Sequence, residues 1–298
     1  MKLLISGAGG FLGQTLLSLL AARADVNSVI ALDLKIDNIK EYKDNPKFFL
    51  LLNDDFLSQD LFLEGYTLIN LAFARSQDFD LVKNSCEWTF NLLHKFEKNG
   101  GKRVVNISSQ SIYDPLRTEP AKETDLPMLN ELYDMGKYYI EKWVEEFCKK
   151  HNADFINLRL ASIVGPSFSQ RITTRLVTTA IKNKEISINL NGQIFSYTHV
   201  RDMSDAIIST CRIADSQWNQ TYNVGSTEVY TIENIAHSIA DTIGKYGITL
   251  KVNLVPSESN RRNSSLDSSC FQKVSGWRAK YSLNDIIEEE LQLQINSV

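Results

Sequence analysis

The chain has 298 residues, 43% of them hydrophobic and 23% charged, ordinary values for a globular protein that buries a core without staples. Its 32 Lys and Arg against 36 Asp and Glu leave a net charge of −4, which excludes a generic binder of nucleic acid or anionic membrane, since either needs a basic face. Cys86, Cys148, Cys211 and Cys270 are far apart and form no CxxC pair, so they read as buried reduced thiols rather than a disulfide frame or zinc site. No apolar run approaches ~18 residues and no charged segment with a cleavage site precedes the first strand, so a cytoplasmic protein is expected.

In chain order, Lys2 to Ser6 reads as a buried strand followed by a Gly-rich turn, and Phe11 to Ala22 has helical periodicity. Further strands are expected at Ser28 to Leu32, Phe48 to Leu52, Thr67 to Ala72, Arg103 to Ile107 and Phe155 to Leu160. Helices are expected at Val82 to Asn99, stopped by Gly100-Gly101, and at Leu132 to Lys149. Strands alternating with helices imply βαβ units and a parallel sheet covered on both faces. Beyond Gly165-Pro166 the pattern changes. Helical stretches at Arg171 to Asn183, Asp202 to Ile213, Thr231 to Gly244 and Leu283 to Gln294 are mixed with short strands near Ile186, Tyr197, Tyr222 and Lys251. The expected fold is α/β: a Rossmann-type doubly wound parallel sheet over 1–165, joined by parts of 195–226, with a smaller α+β substrate lobe over 166–298.

Three groups of residues carry chemistry. Ser6 to Gly13 contains GxxGxxG at Gly7, Gly10 and Gly13. Glycines there allow a tight turn and a close approach of backbone N–H groups to a pyrophosphate at a helix N-terminus. Asp33 ends the second strand, 20 residues past Gly13, where a carboxylate accepts bonds from ribose hydroxyls and repels a 2′-phosphate; this points to NAD rather than NADP. Tyr133 and Lys137 are four residues apart on the extension of an inward stripe of Ile140, Trp143, Val144 and Phe147. An ammonium beside a phenol lowers the phenol's pKa and makes an acid/base pair. Ser108-Ser109 ends the fifth strand, where ligands of open α/β sheets bind. Each group has a bland reading as well: a plain turn, a snorkelling lysine under a packed tyrosine, a loop cap. The four histidines, His94, His151, His199 and His237, have no metal spacing with one another or with Cys, so no metal is expected; His199, following a strand, could reach the substrate cleft.

Together these pieces resemble the extended short-chain dehydrogenase/reductase superfamily, in its NAD-dependent epimerase/dehydratase group of sugar-nucleotide enzymes. The matching stretches are SGAGGFLG, INLAFA, NISSQSIYD, YDMGK, LRLASIVGP, YNVGS and LDSSCFQKVSGWRAKYSLNDII. The resemblance implies a catalytic triad of Ser109, Tyr133 and Lys137, in which Tyr133 takes a sugar hydroxyl proton while a hydride passes to the nicotinamide and Lys137 also holds the nicotinamide ribose. It implies a cofactor lining of Gly7, Gly10, Phe11, Leu12, Gly13, Asp33, Asp55, Phe56, Leu71, Ala72, Ala74 and Asn84. Departures limit the substrate. The Asp-Glu pair of dehydratases is Gln110-Ser111 here, which argues against a 4,6-dehydration. Ser162 replaces the Asn of the element FNVYGP. One diphosphate-binding Arg is replaced by Phe195, whereas Arg262 matches the other.

The expected activity is that of an NAD-dependent sugar-nucleotide epimerase acting at C4 through a transient keto sugar. An NAD-dependent sugar dehydrogenase or 4-keto-sugar reductase is the alternative, and a nucleotide-sensing binding protein on the same scaffold is an alternative of another class. The expected partner is a small-molecule nucleotide sugar; many relatives also form homodimers through the helices matching Val82 to Asn99 and Leu132 to Lys149.

Overall fold

A computed structural model describes residues 1–166, 168, 171–257 and 261–295. Seven parallel strands form the central sheet: β1 (Lys2–Ser6), β2 (Ser28–Asp33), β3 (Phe48–Leu52), β4 (Tyr66–Asn70), β5 (Arg103–Ser109), β6 (Asp154–Leu160) and β11 (Gln220–Val224). Their spatial order is β11-β6-β5-β4-β1-β2-β3. The order reverses between β1 and β4, which pair in parallel with Ser6 opposite Asn70. At such a switch point the connections leave in opposite directions and open a crevice beyond the strand ends. The strands are runs of aliphatic residues with few polar interruptions, as a sheet covered on both faces requires.

One face is covered by α1 (Phe11–Ala21) and α6 (Val200–Thr210), whose Leu16, Leu17 and Leu20, and Met203, Ala206 and Ile207, share a buried cluster with β1 and β6. The other face is covered by α2 (Asn53–Ser58), α3 (Phe79–Lys98) and α4 (Leu132–Lys150), through Phe56, Leu92, Leu93, Phe96, Ile140, Val144 and Phe147. A second core joins α5 (Ile172–Asn183), α7 (Ile232–Gly244) and α9 (Leu283–Ile295) to the parallel pair β8 (Glu185–Leu190) and β13 (Lys251–Pro256). Small two-stranded pairs complete this half: β7 (Ser162–Val164) with β10 (Tyr197–His199), and β9 (Ile194–Phe195) with β12 (Tyr230–Thr231).

The lobes are not consecutive stretches of chain. β11, α6, and Phe271 and Trp277 around α8 (Ser269–Ser275) belong to the first core, although all lie beyond residue 166. The helix expected from Asp202 starts at Val200 because His199 is its N-cap, accepting from the Arg201 amide at 3.2 Å. The Asp202 carboxylate faces away and accepts from the amides of Lys280 and Tyr281, both at 2.9 Å. Likewise α3 starts earlier than expected, at Phe79, because Asp78 accepts from the Leu81 amide at 3.0 Å. Cys270 is exposed, whereas Cys148 is buried and its thiol is pushed up to about 12. No helix of the described residues is long and apolar enough to cross a membrane.

A polar seam runs through the apolar interior. Asn70, Asn106 and Asn157 stand at matching register on β4, β5 and β6, and their amides bond in series at 3.2 and 2.9 Å. The last amide donates to the Glu141 carbonyl at 3.5 Å. Beside it, Arg159 of β6 meets the Glu141 carboxylate through Nε at 3.1 and 3.2 Å and Nη2 at 2.8 Å. Arg159 Nη1 also donates to the Tyr113 hydroxyl at 2.7 Å, which donates to Asn223 at 2.8 Å. Arg159 is 5% exposed and Glu141 1%, so removing one partner strands a buried charge. Glu141→Ala should cost about 3–5 kcal/mol, whereas replacing both residues with apolar ones should recover much of that loss. Urea unfolding of the two variants measures the difference.

Candidate active site

Gly7 has φ +81° in the turn after β1, and its amide donates to Leu32 O at 2.9 Å. A Cβ there would come within 2.8 Å of Ala72 N, and one at Gly13 within 2.4 Å of Gly7 O. Both positions therefore need glycine, the first for conformation and approach, the second for helix-to-turn packing. The Gly9 amide donates to Asp33 Oδ2 at 2.8 Å, tying the turn to the end of β2. The N-cap of α1 is Gly10, which has no side-chain cap, and no acidic residue stands in the first turn. Its free N–H groups and positive dipole end therefore suit a phosphate. They open onto a cavity of about 550 Å³ lined on this side by Gly7, Gly10, Phe11, Leu12, Gly13 and Leu71. The buried Ser108 Oγ, on the same lining, has no hydrogen-bond partner among the described residues. This cradle fits a dinucleotide.

Other positions expected to line the cofactor do not line that cavity. Ala72 supplies the backbone opposite Gly7, and the Ala74 amide donates to Ser85 Oγ at 3.0 Å. Asp55 and Asn84 are exposed, on α2 and α3. Phe56 is a correction: the whole residue is enclosed in the core beneath α2.

Ser109, Tyr133 and Lys137 line the far side of the same cavity, so the three separated segments do converge. Tyr133 and Lys137 are brought together by one turn of α4, and Ser109 by the end of β5. The Ser109 hydroxyl bonds the Ser111 hydroxyl at 2.9 Å and shares the cavity wall with the Tyr133 phenol. The electrostatics correct the simple expectation. Lys137 Nζ donates to Ile107 O at 2.7 Å and lies 4.5 Å from the Phe73 ring centroid, against 6.0 Å for Tyr133. Burial pulls the Lys137 ammonium down to about 7. Burial also raises the Tyr133 phenol, an effect opposed by Ser109 and by the charges of Arg75 and Arg171. Arg75 and Arg171 add positive charge that favours the phenolate.

An adjoining cavity of about 670 Å³ contains Phe195 and Arg262, and Ser162 lines both. Its wall carries Arg75, Arg117, Arg171, Arg175 and Arg262 against Asp114, Glu131 and Asp134. Among the described residues, none of these five arginines is ion-paired with a carboxylate, whereas Arg23, Arg103, Arg159, Arg201 and Arg212 all are. Arg171 donates from Nε to Ile163 O at 2.7 Å, and burial, with repulsion from Arg75, lowers it to about 10. His199 is the second correction. It is fully enclosed, bonds Glu289 at 2.7 Å and stacks on Tyr281, so it lines neither cavity. Its role as N-cap turns the imidazole inward.

Arg75, Ser111, Asp134, Phe168 and Arg171 line the site without having been singled out from the sequence. Arg75 and Ser111 lie just past the ends of β4 and β5, the usual place for ligand contacts, and Asp134 follows Tyr133 on the helix. Nothing local marks Phe168, which stacks on Phe11 with centroids 4.5 Å apart.

With one Asp33 oxygen held by Gly9, the carboxylate stays at the end of β2 as a fixed negative charge. NAD should bind more tightly than NADP, and Asp33→Ala should narrow that gap; titrating both by fluorescence checks it. Equal affinities in the unaltered protein would contradict this reading of the turn.

Residues 3–225 match the model of the NAD dependent epimerase/dehydratase family. The chain is similar to UDP-glucuronic acid decarboxylase 3 of Arabidopsis thaliana, 25% identical over 319 residues that cover 99% of this chain and 90% of the relative. Its fold is similar to that of a UDP-glucuronic acid 4-epimerase from Bacillus cereus, solved with UDP-glucuronic acid and NAD, at 21% identity and TM-score 0.83, covering 100% of both chains. A UDP-glucose 4-epimerase from Thermotoga maritima superposes with TM-score 0.81 at 20% identity, over 100% of this chain and 99% of that one. The glycine turn, the convergent Ser109, Tyr133 and Lys137, and a family match over most of its length mean that the chain belongs to the NAD dependent epimerase/dehydratase family, whose members are enzymes of the extended short-chain dehydrogenase/reductase type.

Proposed function

We propose that the protein is an NAD-dependent sugar-nucleotide epimerase that oxidises its substrate at C4 and reduces the keto sugar on the opposite face. The observation that carries this is the placement of Tyr133 and Ser109 across one cavity from the glycine turn. The glycine turn would hold NAD, which would supply the hydride acceptor and donor for the sugar carbon. Tyr133 exchanges the hydroxyl proton at that carbon, and Ser109 orients the same oxygen. Lys137, anchored to the Ile107 carbonyl, closes the wall behind them. Arg262 receives the diphosphate in the adjoining cavity of about 670 Å³. Phe79, Leu81, Met135 and Tyr139 stay exposed on α3 and α4, which supports the expected homodimer through these helices.

A second reading is favoured by Arg75 and Arg171, two cations without carboxylate partners among the described residues, acting on Tyr133. They suit a sugar that carries a carboxylate, a nucleotide-linked uronic acid. Oxidised at C4, such a sugar is a β-keto acid and can lose carbon dioxide, the chemistry named for the plant relative.

The test is product analysis by NMR after incubation with UDP-glucose, UDP-N-acetylglucosamine and UDP-glucuronic acid, without added NAD. An epimer without accumulated NADH is expected. Release of carbon dioxide would favour the second reading, and stoichiometric NADH would make the protein a dehydrogenase. Tyr133→Phe should lower turnover ~10²-fold or more. Arg262→Ala should raise KM ~10–100-fold through a lost charge-assisted bond. If Tyr133→Phe keeps most activity, the phenol is not the proton carrier.

A further inference from the structure

Lys137 is 6% exposed, and its Nζ donates to Ile107 O at 2.7 Å. An ammonium has three donors, and one carbonyl satisfies only one of them. On another side of the group stands the Phe73 ring, whose centroid lies 4.5 Å from Nζ. A cation that close to a ring face is attracted by the ring's quadrupole, most strongly where water is excluded. The same ring meets Tyr133 edge-on, with centroids 5.8 Å apart and planes at 77°. Phe73 lies in the loop after β4 and lines the cavity together with both side chains.

Gly136 accounts for this close approach. It lies inside α4, between Tyr133 and Lys137 in the chain, and its φ is not positive, so its conformation does not call for glycine. Glycine inside a helix is destabilising relative to alanine. A Cβ there would come within 2.8 Å of Phe73 Cζ and 2.7 Å of Val82 Cγ1. The missing side chain leaves the space that the tip of the ring and Val82 occupy.

We propose that Phe73 is a positioning residue for the acid/base pair: its ring face holds the Lys137 ammonium charged and in place beside Tyr133, and Gly136 admits the ring. The role rests on the proposed oxidation at the sugar carbon, in which Lys137 supports the ionised Tyr133 phenol.

The titratable groups facing Lys137 are Tyr133 and Glu141 on its own helix and Cys86 on α3. β5 presents only the Ile107 carbonyl, and the loop after β4 presents the Phe73 ring. Arg75, Glu131, Asp134 and Arg171 line the same cavity. Burial lowers the Lys137 ammonium, opposed by the charges of Glu141 and Cys86. An attraction of the ring for the charged form acts in the same direction as those charges. Weakening it should therefore lower the lysine's pKa, and activity that needs the ammonium should be lost at a lower pH as pH rises.

The test places 3,5-difluorophenylalanine at position 73. Fluorine nearly keeps the shape of the ring but withdraws electron density from its face. In protein labelled with 13C at lysine Cε, the Lys137 resonance is identified by its absence in Lys137→Arg and titrated without substrate. Its midpoint should fall by about 0.5–1 pH unit on fluorination. The alkaline limb of kcat, measured with whichever of the three UDP-sugars the unaltered enzyme turns over, should move down with it, and KM should change little. Phe73→Leu, which removes the ring but stays apolar, should shift the limb further and lower kcat ~10-fold. Gly136→Ala, made in a Val82→Ala background so that only the ring is in the way, should lower kcat relative to Val82→Ala alone. Adding Phe73→Leu to that variant should make it no slower than Phe73→Leu in the Val82→Ala background. If Phe73 merely packs, Phe73→Leu slows the enzyme while fluorination moves neither the midpoint nor the limb; that result overturns the proposal. Additive losses from Gly136→Ala and Phe73→Leu overturn it as well. A midpoint that falls on fluorination with no UDP-sugar turned over upholds the placement of Lys137 by the ring and refutes the oxidation reading alone.

Discussion

The buried pair of Arg159 and Glu141 holds in place the helix that carries the Tyr133 phenol. Arg159 lies on β6 and Glu141 two turns along α4 from Tyr133. Two opposite charges out of water are costly to bury and more costly to separate. Their geometry is therefore restrictive: α4 cannot slide along the sheet without stranding one of them. The Asn70–Asn106–Asn157 series ties three strands to the same stretch of helix. In an otherwise apolar interior this polar seam sets the register of α4, and hence the depth at which Tyr133, Asp134 and Lys137 meet the end of β5.

Around that fixed helix the cleft divides into two electrostatic regions. The glycine turn offers backbone N–H groups and a helix dipole, which favour anions without any side-chain charge. The adjoining cavity offers five arginines without ion pairs among the described residues, although the protein as a whole is acidic. Five arginines elsewhere, Arg23, Arg103, Arg159, Arg201 and Arg212, are paired with carboxylates, so unpaired positive charge gathers where a diphosphate or carboxylate would enter. The reacting groups stand between the two regions. There burial lowers the Lys137 ammonium to about 7 and raises the Tyr133 phenol, against the charges of Arg75 and Arg171.

Much of this was legible in local residue patterns. Alternating apolar runs and helical periods specify a parallel α/β sheet, and the GxxGxxG turn with Asp33 specifies a dinucleotide cradle, because both depend on neighbours within a few tens of residues. The one-turn spacing of Tyr133 and Lys137 likewise needs only a helix. Errors arose where a side chain's orientation depended on distant packing. His199 faces Glu289 and Tyr281, contributed by the end of the chain, and is turned away from the cleft. Phe56 is drawn into the core beneath α2.

The sequence by itself determined the family and the sheet and singled out Ser109, Tyr133 and Lys137, which converge on one cavity, because spacing and backbone chemistry are local properties. Only the tertiary structure decided which charges act on them. Lys137 was drawn to a carbonyl of β5 rather than to the phenol. Arg75 and Arg171, 96 residues apart in the chain, converge on Tyr133, and Ser111 and Asp134 line the same cavity. Electrostatic effects depend on distance and burial in three dimensions, and the order of residues along a chain contains neither until the elements have packed.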